Sequence, residues 1–282
     1  MGMYAATMVD GVAYGLLLFT VSAGLALIFG VLDVLNLAHG TLYLGGAYLA
    51  WSVTDGGLTA LALAALAAMV AGAAGGGLLH VALRPLRAGA GHLDQALVTL
   101  GLAFTGGWVF TELFGAAPLP AEPPSALAGS VPIAGHGYPV HRLLFIAVAA
   151  LLAVALHLVV RRTRAGIVLR ATVSDPAMAA ATGIHTARVR IAALAVGGAV
   201  TTLAGVLGAP LLGPAPGVDV QVLIMSLVVV VVGGAGSVPH TLAAALLVGQ
   251  VQTVGVITAP TMAAFLLFAL VLLILVTRGR TV

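Results

Sequence analysis

The chain has 282 residues, 61% of them hydrophobic and only 7% charged, with a mean hydropathy of +1.19. Ordinary soluble domains carry about 25% charged and about 45–50% apolar residues, so a water-soluble globule is excluded. The apolar richness excludes disorder, and the lack of cysteine and of a triplet glycine period excludes a disulfide scaffold and a collagen-like fibre. What remains is an all-α, polytopic transmembrane helical bundle, and the 37 glycines suit it because small residues let helices approach closely in lipid.

All eleven basic residues are arginine, and no lysine occurs. A formal charge of +3 and a pI near 9.8 could suggest a nucleic-acid ligand. The arginines, however, sit in short gaps between apolar runs, which is the pattern of membrane topology, and no nucleic acid is expected. A P-loop needs its lysine on the nucleotide phosphates, so the sequence carries no standard ATPase site.

A hydrocarbon core of about 30 Å needs about 20 apolar residues per helix. Candidate spans run, in chain order, over 8–30, 35–53, 58–83, 95–114, 143–160, 189–212, 220–232, 242–257 and 262–277. That gives eight or nine spans, depending on whether the short 220–232 segment crosses or re-enters. The N-terminus lacks the basic region and cleavage site of a signal peptide, so the first span is expected to be retained. Residues 1–282 read as one membrane domain with an external loop at 115–141 and a cytoplasmic loop at 161–190. With nine spans, Arg84, Arg87, the six arginines of 161–190, Arg278 and Arg280 share one side, and only Arg142 lies opposite. The positive-inside rule makes the arginine side, and with it the C-terminus, cytoplasmic.

The external loop holds six of the thirteen prolines and is expected to be extended, resisting helix and strand alike. It reads either as a docking platform for an external partner or as a plain connector. In the cytoplasmic loop, Asp175 fits an N-cap, Pro176 the first helical position, 177–182 about two turns, and Gly183 the C′ position. So short a helix must be ordered by packing. It is either held by arginines to anionic membrane lipid or offered to a cytoplasmic partner.

Here the sequence resembles the LivH-type permease subunits of branched-chain amino acid ABC importers. The resemblance lies in ALIFGVLDVLNLAHGTLYLGGAYLAW at 26–51, in RTRAGIVLRATVSDPAMAAATGI at 162–184 and in VVVVVGGAGSVPHTLAAALLVG at 228–249. It implies one permease chain of an importer for branched-chain or related amino acids in the bacterial inner membrane, with no covalent chemistry of its own. The implied partners are two cytoplasmic ATPase subunits, a second permease subunit that completes a homo- or heterodimer, and a soluble external substrate-binding protein. The implied ATPase-coupling element comprises Arg170, Asp175, Pro176, Ala179 and Gly183. Thr41 stands where many relatives carry glutamate, and Ala177 where the coupling helix is usually acidic.

Candidate path residues follow from two breaks in apolar sequence. Asn36, His39, Gly40 and Thr41 lie at the first, where Asn36 either caps a helix whose free N–H groups bind a carboxylate or makes a plain structural cap. Gly233, Gly234, Gly236, Ser237 and Pro239 make the second, either a shielded irregular segment or a tight cytoplasmic turn. The two breaks share a histidine near a threonine–leucine pair, a match short enough to be chance. Glu112 and Asp219 are expected near the outer surface, meeting an ammonium group or the binding protein, or only solvating helix ends. Eight histidines show no HExxH or i, i+4 pairing, so no metal is expected, and no cofactor. The alternatives are a self-contained secondary carrier or channel for a small polar solute, disfavoured because nearly every charge lies at a span end, and an ABC permease for urea, amides or aromatic acids.

Overall fold

The computed structural model describes residues 2–33, 35–53, 57–84, 86, 91–133, 136–234 and 237–279. Arg87, Gly236 and Arg280, singled out above, lie outside them. The described residues form α1 (Gly2–Leu32), α2 (His39–Ser52), α3 (Gly57–Leu83), α4 (His92–Phe114), α5 (Val140–Arg162) and α6 (Arg164–Ser174). They continue with α7 (Pro176–Ala181), α8 (Thr186–Leu212), α9 (Val218–Gly233), α10 (Val238–Thr258) and α11 (Ala263–Gly279). Six of these, α1, α3, α4, α5, α8 and α10, are long and apolar enough to cross a membrane, and α9 and α11 are shorter apolar helices. The protein is a helical, multi-pass membrane protein. Every expected span coincides with a helix, but α2 has only 14 residues, about 21 Å at 1.5 Å per residue, and falls short of the hydrocarbon thickness.

Burial places α1 and α8 at the centre, while α3, α4 and α5 turn most of their surface outward. Leu66, Val70, Phe104, Trp108 and Leu151 are among the exposed apolar side chains, as lipid-facing residues must be. The centre is tight because glycine permits it. A Cβ on Gly198 of α8 would run into the Gly72 carbonyl of α3, and a Cβ on Gly40 of α2 into the Asp219 carbonyl of α9. Thr202 of α8 adds a hydrogen bond across the first contact, donating to the Ala68 carbonyl at 2.6 Å.

The 115–141 loop departs from expectation. It contains a 3-10 turn at Ser125–Leu127 and an antiparallel hairpin of β1 (Ser130–Ile133) and β2 (His136–Pro139). Proline disfavours a central strand, but a two-stranded ribbon has only edges, so Pro132 and Pro139 are accommodated. Tyr138 donates to Asp10 of α1 at 3.0 Å, and Arg142 forms an ion pair with the same carboxylate oxygen. Burial, then the hydrogen bond to Asp10, pushes the Tyr138 hydroxyl up to about 12. Sequence periodicity could not reveal this anchor, because Tyr138 and Arg142 stand 128 and 132 positions from Asp10.

Candidate functional site

The first break is a sunken one. Asp33 ends α1 at φ 55°, in the left-handed region that aspartate tolerates better than most residues. The chain then turns back into the bundle before α2 begins. Backbone groups that leave a helix at membrane depth need partners from the protein. Thr99 of α4 supplies two: its hydroxyl accepts from the Leu37 N–H at 3.1 Å and lies 3.2 Å from the Leu35 carbonyl. Asn36 supplies another, its Oδ1 accepting from the Ala38 N–H at 3.1 Å. Asn36 therefore braces the approach to α2; the N-cap position itself is Ala38.

His39, the first residue of α2, is fully buried. Its Nε2 lies 3.0 Å from the Val21 carbonyl of α1 and 2.8 Å from the Thr201 hydroxyl of α8. A carbonyl only accepts, so Nε2 carries the proton. The Thr201 hydroxyl gives its own proton to Gly197 at 2.8 Å and accepts from the ring. One imidazole thus joins three helices. Val21 lies eleven residues before the end of α1, about 16 Å along the helix, so α2 starts well inside the bundle rather than at the end of α1. His39 Nδ1 and Asn36 Nδ2 are buried without partners among the described residues.

Gly40 packs on Asp219, and the Thr41 hydroxyl lies 3.5 Å from the Ala103 carbonyl of α4. Asp219 sits in the first turn of α9, only 8% exposed, with its carboxylate over Gly107 of α4. It is more enclosed than a residue solvating a helix end. Glu112, by contrast, is exposed. Beside it, Tyr48 stacks on Phe114 and Phe110 with ring centroids 4.2 and 5.3 Å apart.

The second break lies between α9 and α10. Gly234 ends α9 at φ 80°, Ser237 precedes α10, and Thr241 donates back to the Ser237 carbonyl at 3.0 Å. Gly234 and Ser237 lie far along the chain from Asn36, His39, Gly40 and Thr41, and the structure does not gather the six into one pocket. Ser237 instead lines a separate 570 Å³ cavity whose wall includes Arg170 and Arg188.

The 161–190 loop has more structure than its sequence suggested. Asp175 Oδ1 accepts from the Ala177 and Met178 N–H groups, both at 2.9 Å, Pro176 opens α7, and Gly183 follows its end at φ 89°. Ahead of it stands α6, which the sequence reading missed. Its signal was present in a threonine followed by an amphipathic run: Thr163 Oγ1 accepts from the Gly166 N–H at 3.2 Å. Arg170 of α6 donates to the Val160 carbonyl in the last turn of α5, where a cation complements the helix end. Ala179 is buried against the bundle, whereas Met178 is 62% exposed at the tip of α7.

The family profile described as the permease component of branched-chain amino acid transport systems matches residues 7–277. Among curated proteins, the chain is 26% identical over 265 residues to the high-affinity branched-chain amino acid transport system permease protein BraD of Pseudomonas aeruginosa, covering 89% of this chain and 86% of that one. It is 27% identical over 293 residues to the corresponding LivH protein of Escherichia coli K12, covering 96% and 93%. The LivH protein of Salmonella typhimurium is 26% identical over 287 residues, with 96% and 93% covered. No solved structure matches.

Proposed function

The chain belongs to the family of branched-chain amino acid transport system permease components, and we propose that it forms half of the translocation path of an ABC importer for branched-chain or related amino acids. The observation that carries this reading is the family match across 7–277. The protein is a transport subunit and makes or breaks no covalent bond. ATP is hydrolysed on two separate cytoplasmic subunits, a second permease chain completes the path, and a soluble external protein delivers the solute. The protein sits in the bacterial inner membrane with nine membrane segments, its arginine face and C-terminus cytoplasmic.

The coupling element is α7 with its flanks: Asp175 and Pro176 start it, Gly183 ends it, Ala179 docks it inward, and Arg170 ties α6 to α5. Met178 is the apolar tip an ATPase groove would take up. Movement of α7 on ATP-driven closure rocks α5, α6 and α8 and alternates access to the path. Asn36, His39, Gly40 and Thr41 form the broken-helix part of that path, the feature membrane transporters place beside their substrates. Gly234 and Ser237 form the turn at its cytoplasmic end.

Reconstitution into liposomes tests the whole. With ATPases, second permease and binding protein present, leucine uptake requires ATP, and the chain alone is inert. Met178→Glu leaves ATP hydrolysis running while uptake falls. ATP-independent uptake by the isolated chain overturns the proposal.

A further inference from the structure

The 570 Å³ cavity belongs to neither the broken-helix segment nor the tip of α7. It lies among α1, α5, α6, α8 and α10; Asn36, His39, Gly40 and Thr41 do not line it, and of the proposed path residues Ser237 alone, just before α10, reaches its rim. Its walls run from Ala23 to Val31 on α1 and from Arg188 to Val196 on α8. Each stretch is nine residues, or eight rises and about 12 Å of helix, and the two run antiparallel, so both report the same depth. That depth is close to one leaflet of hydrocarbon, half of a core of about 30 Å. The space is a one-sided pouch rather than a channel.

Its chemistry changes sharply along its length. The inner wall is built from aliphatic side chains such as Leu27, Leu156 and Val159, and from small residues that leave room. A Cβ on Gly30 would meet nothing within 4 Å. The mouth is arginine: Arg170 and Arg188 line it, and Arg161, Arg162 and Arg164 stand exposed in the same loop. The acid of that loop, Asp175, is committed to capping α7. Arg170 uses one guanidinium nitrogen on Val160, which leaves other donors of its five free. A long apolar space one leaflet deep, closed by uncompensated positive charge, is complementary to a single kind of molecule.

The geometry points to this cavity as the seat of one anionic phospholipid from the arginine-bearing leaflet. An acyl chain fills the apolar space, and the headgroup phosphate lies on Arg188 and Arg170. Because α6 forms one wall and α8 another, the lipid wedges the coupling loop against the bundle. It acts as a structural ligand and crosses nothing.

Native mass spectrometry of the full chain, purified with the subunits it carries, tests this after exposure to phosphatidylglycerol or phosphatidylcholine. The wild type retains one phosphatidylglycerol and releases phosphatidylcholine. Arg188→Gln, a surface change that leaves the apolar space intact, lowers retention about five-fold, the weight of one arginine against an anionic leaflet. Gly30→Leu projects into open space and lowers retention at least as far. The proposal is overturned if Arg188→Gln retains the lipid like the wild type, or if Gly30→Leu does. It is overturned equally if phosphatidylcholine is held as firmly, or if leucine displaces the bound lipid, which would assign the cavity to the solute.

Discussion

The two breaks in the bundle begin from similar sequence and end in opposite environments. Each follows an apolar helix and presents a histidine close to a threonine–leucine pair. At the first, His39 is fully buried and bonded to two other helices. At the second, His240 is exposed in the first turn of α10. The difference lies in the neighbours. Thr99 of α4 and Thr201 of α8 offer partners for backbone and ring at the first break, whereas the second closes on itself through Thr241 and Ser237. Depth in a membrane is set by which polar groups the surrounding helices can satisfy, not by the local motif.

That contrast breaks most severely at Gly40. Gly40→Val pushes the α2 and α9 backbones apart, and overpacking of this kind costs about 3 kcal/mol. Monodisperse protein on size-exclusion chromatography should largely vanish, while Val at Gly30, which faces open space, should be tolerated. Next comes the histidine pair. His39→Ala removes a three-helix junction and leaves a void, lowering stability by about 2 kcal/mol and reducing uptake. His240→Ala should leave both unchanged in a thermal unfolding and uptake assay. Equal effects at the two histidines would erase the distinction between the breaks.

Thr99→Val keeps the shape of the side chain and removes its hydroxyl. The Leu37 N–H then loses its acceptor, at a cost of about 1–2 kcal/mol. Thr241→Val removes a bond made to the residue that precedes its own helix and should cost less when melting temperatures are compared. The smallest effect belongs to the β1–β2 hairpin. The Tyr138 hydroxyl is held at about 12 in the folded protein, above the ordinary value near 10 for an unfolded chain. Its contribution is therefore complete below pH 10 and lost as pH rises through about 12. Tyr138→Phe should cost about 1 kcal/mol at neutral pH and flatten the alkaline decline in hairpin anchoring, followed by protease nicking of the loop.

How much of this was legible in the sequence varies from element to element. The apolar runs marked each membrane helix because hydrocarbon demands about the same length everywhere. The α7 cap was equally plain, since Asp175, Pro176 and Gly183 act within one short stretch of backbone. The amphipathic α6 was present as a pattern and passed over beside its better-capped neighbour. The hairpin was obscured by its prolines, whose usual meaning changes in a two-stranded ribbon. Asn36 and His39 were visible as polar residues in an apolar setting, but their bonds were not.

By itself, then, the sequence determined what one stretch of backbone or one solvent can dictate. It specified a membrane bundle, the positions of its helices, the gathering of arginine in the gaps between apolar runs and a capped helix among those arginines. The tertiary structure alone decided which break sinks, which histidine is buried, and where space remains between helices. Hydrophobic length and capping are local and additive along the chain. Burial of His39 against Val21 and Thr201, and the pouch walled by α1, α5, α6, α8 and α10, depend on residues far apart in sequence. Only close packing, made possible by glycines such as Gly40 and Gly198, brings those residues together.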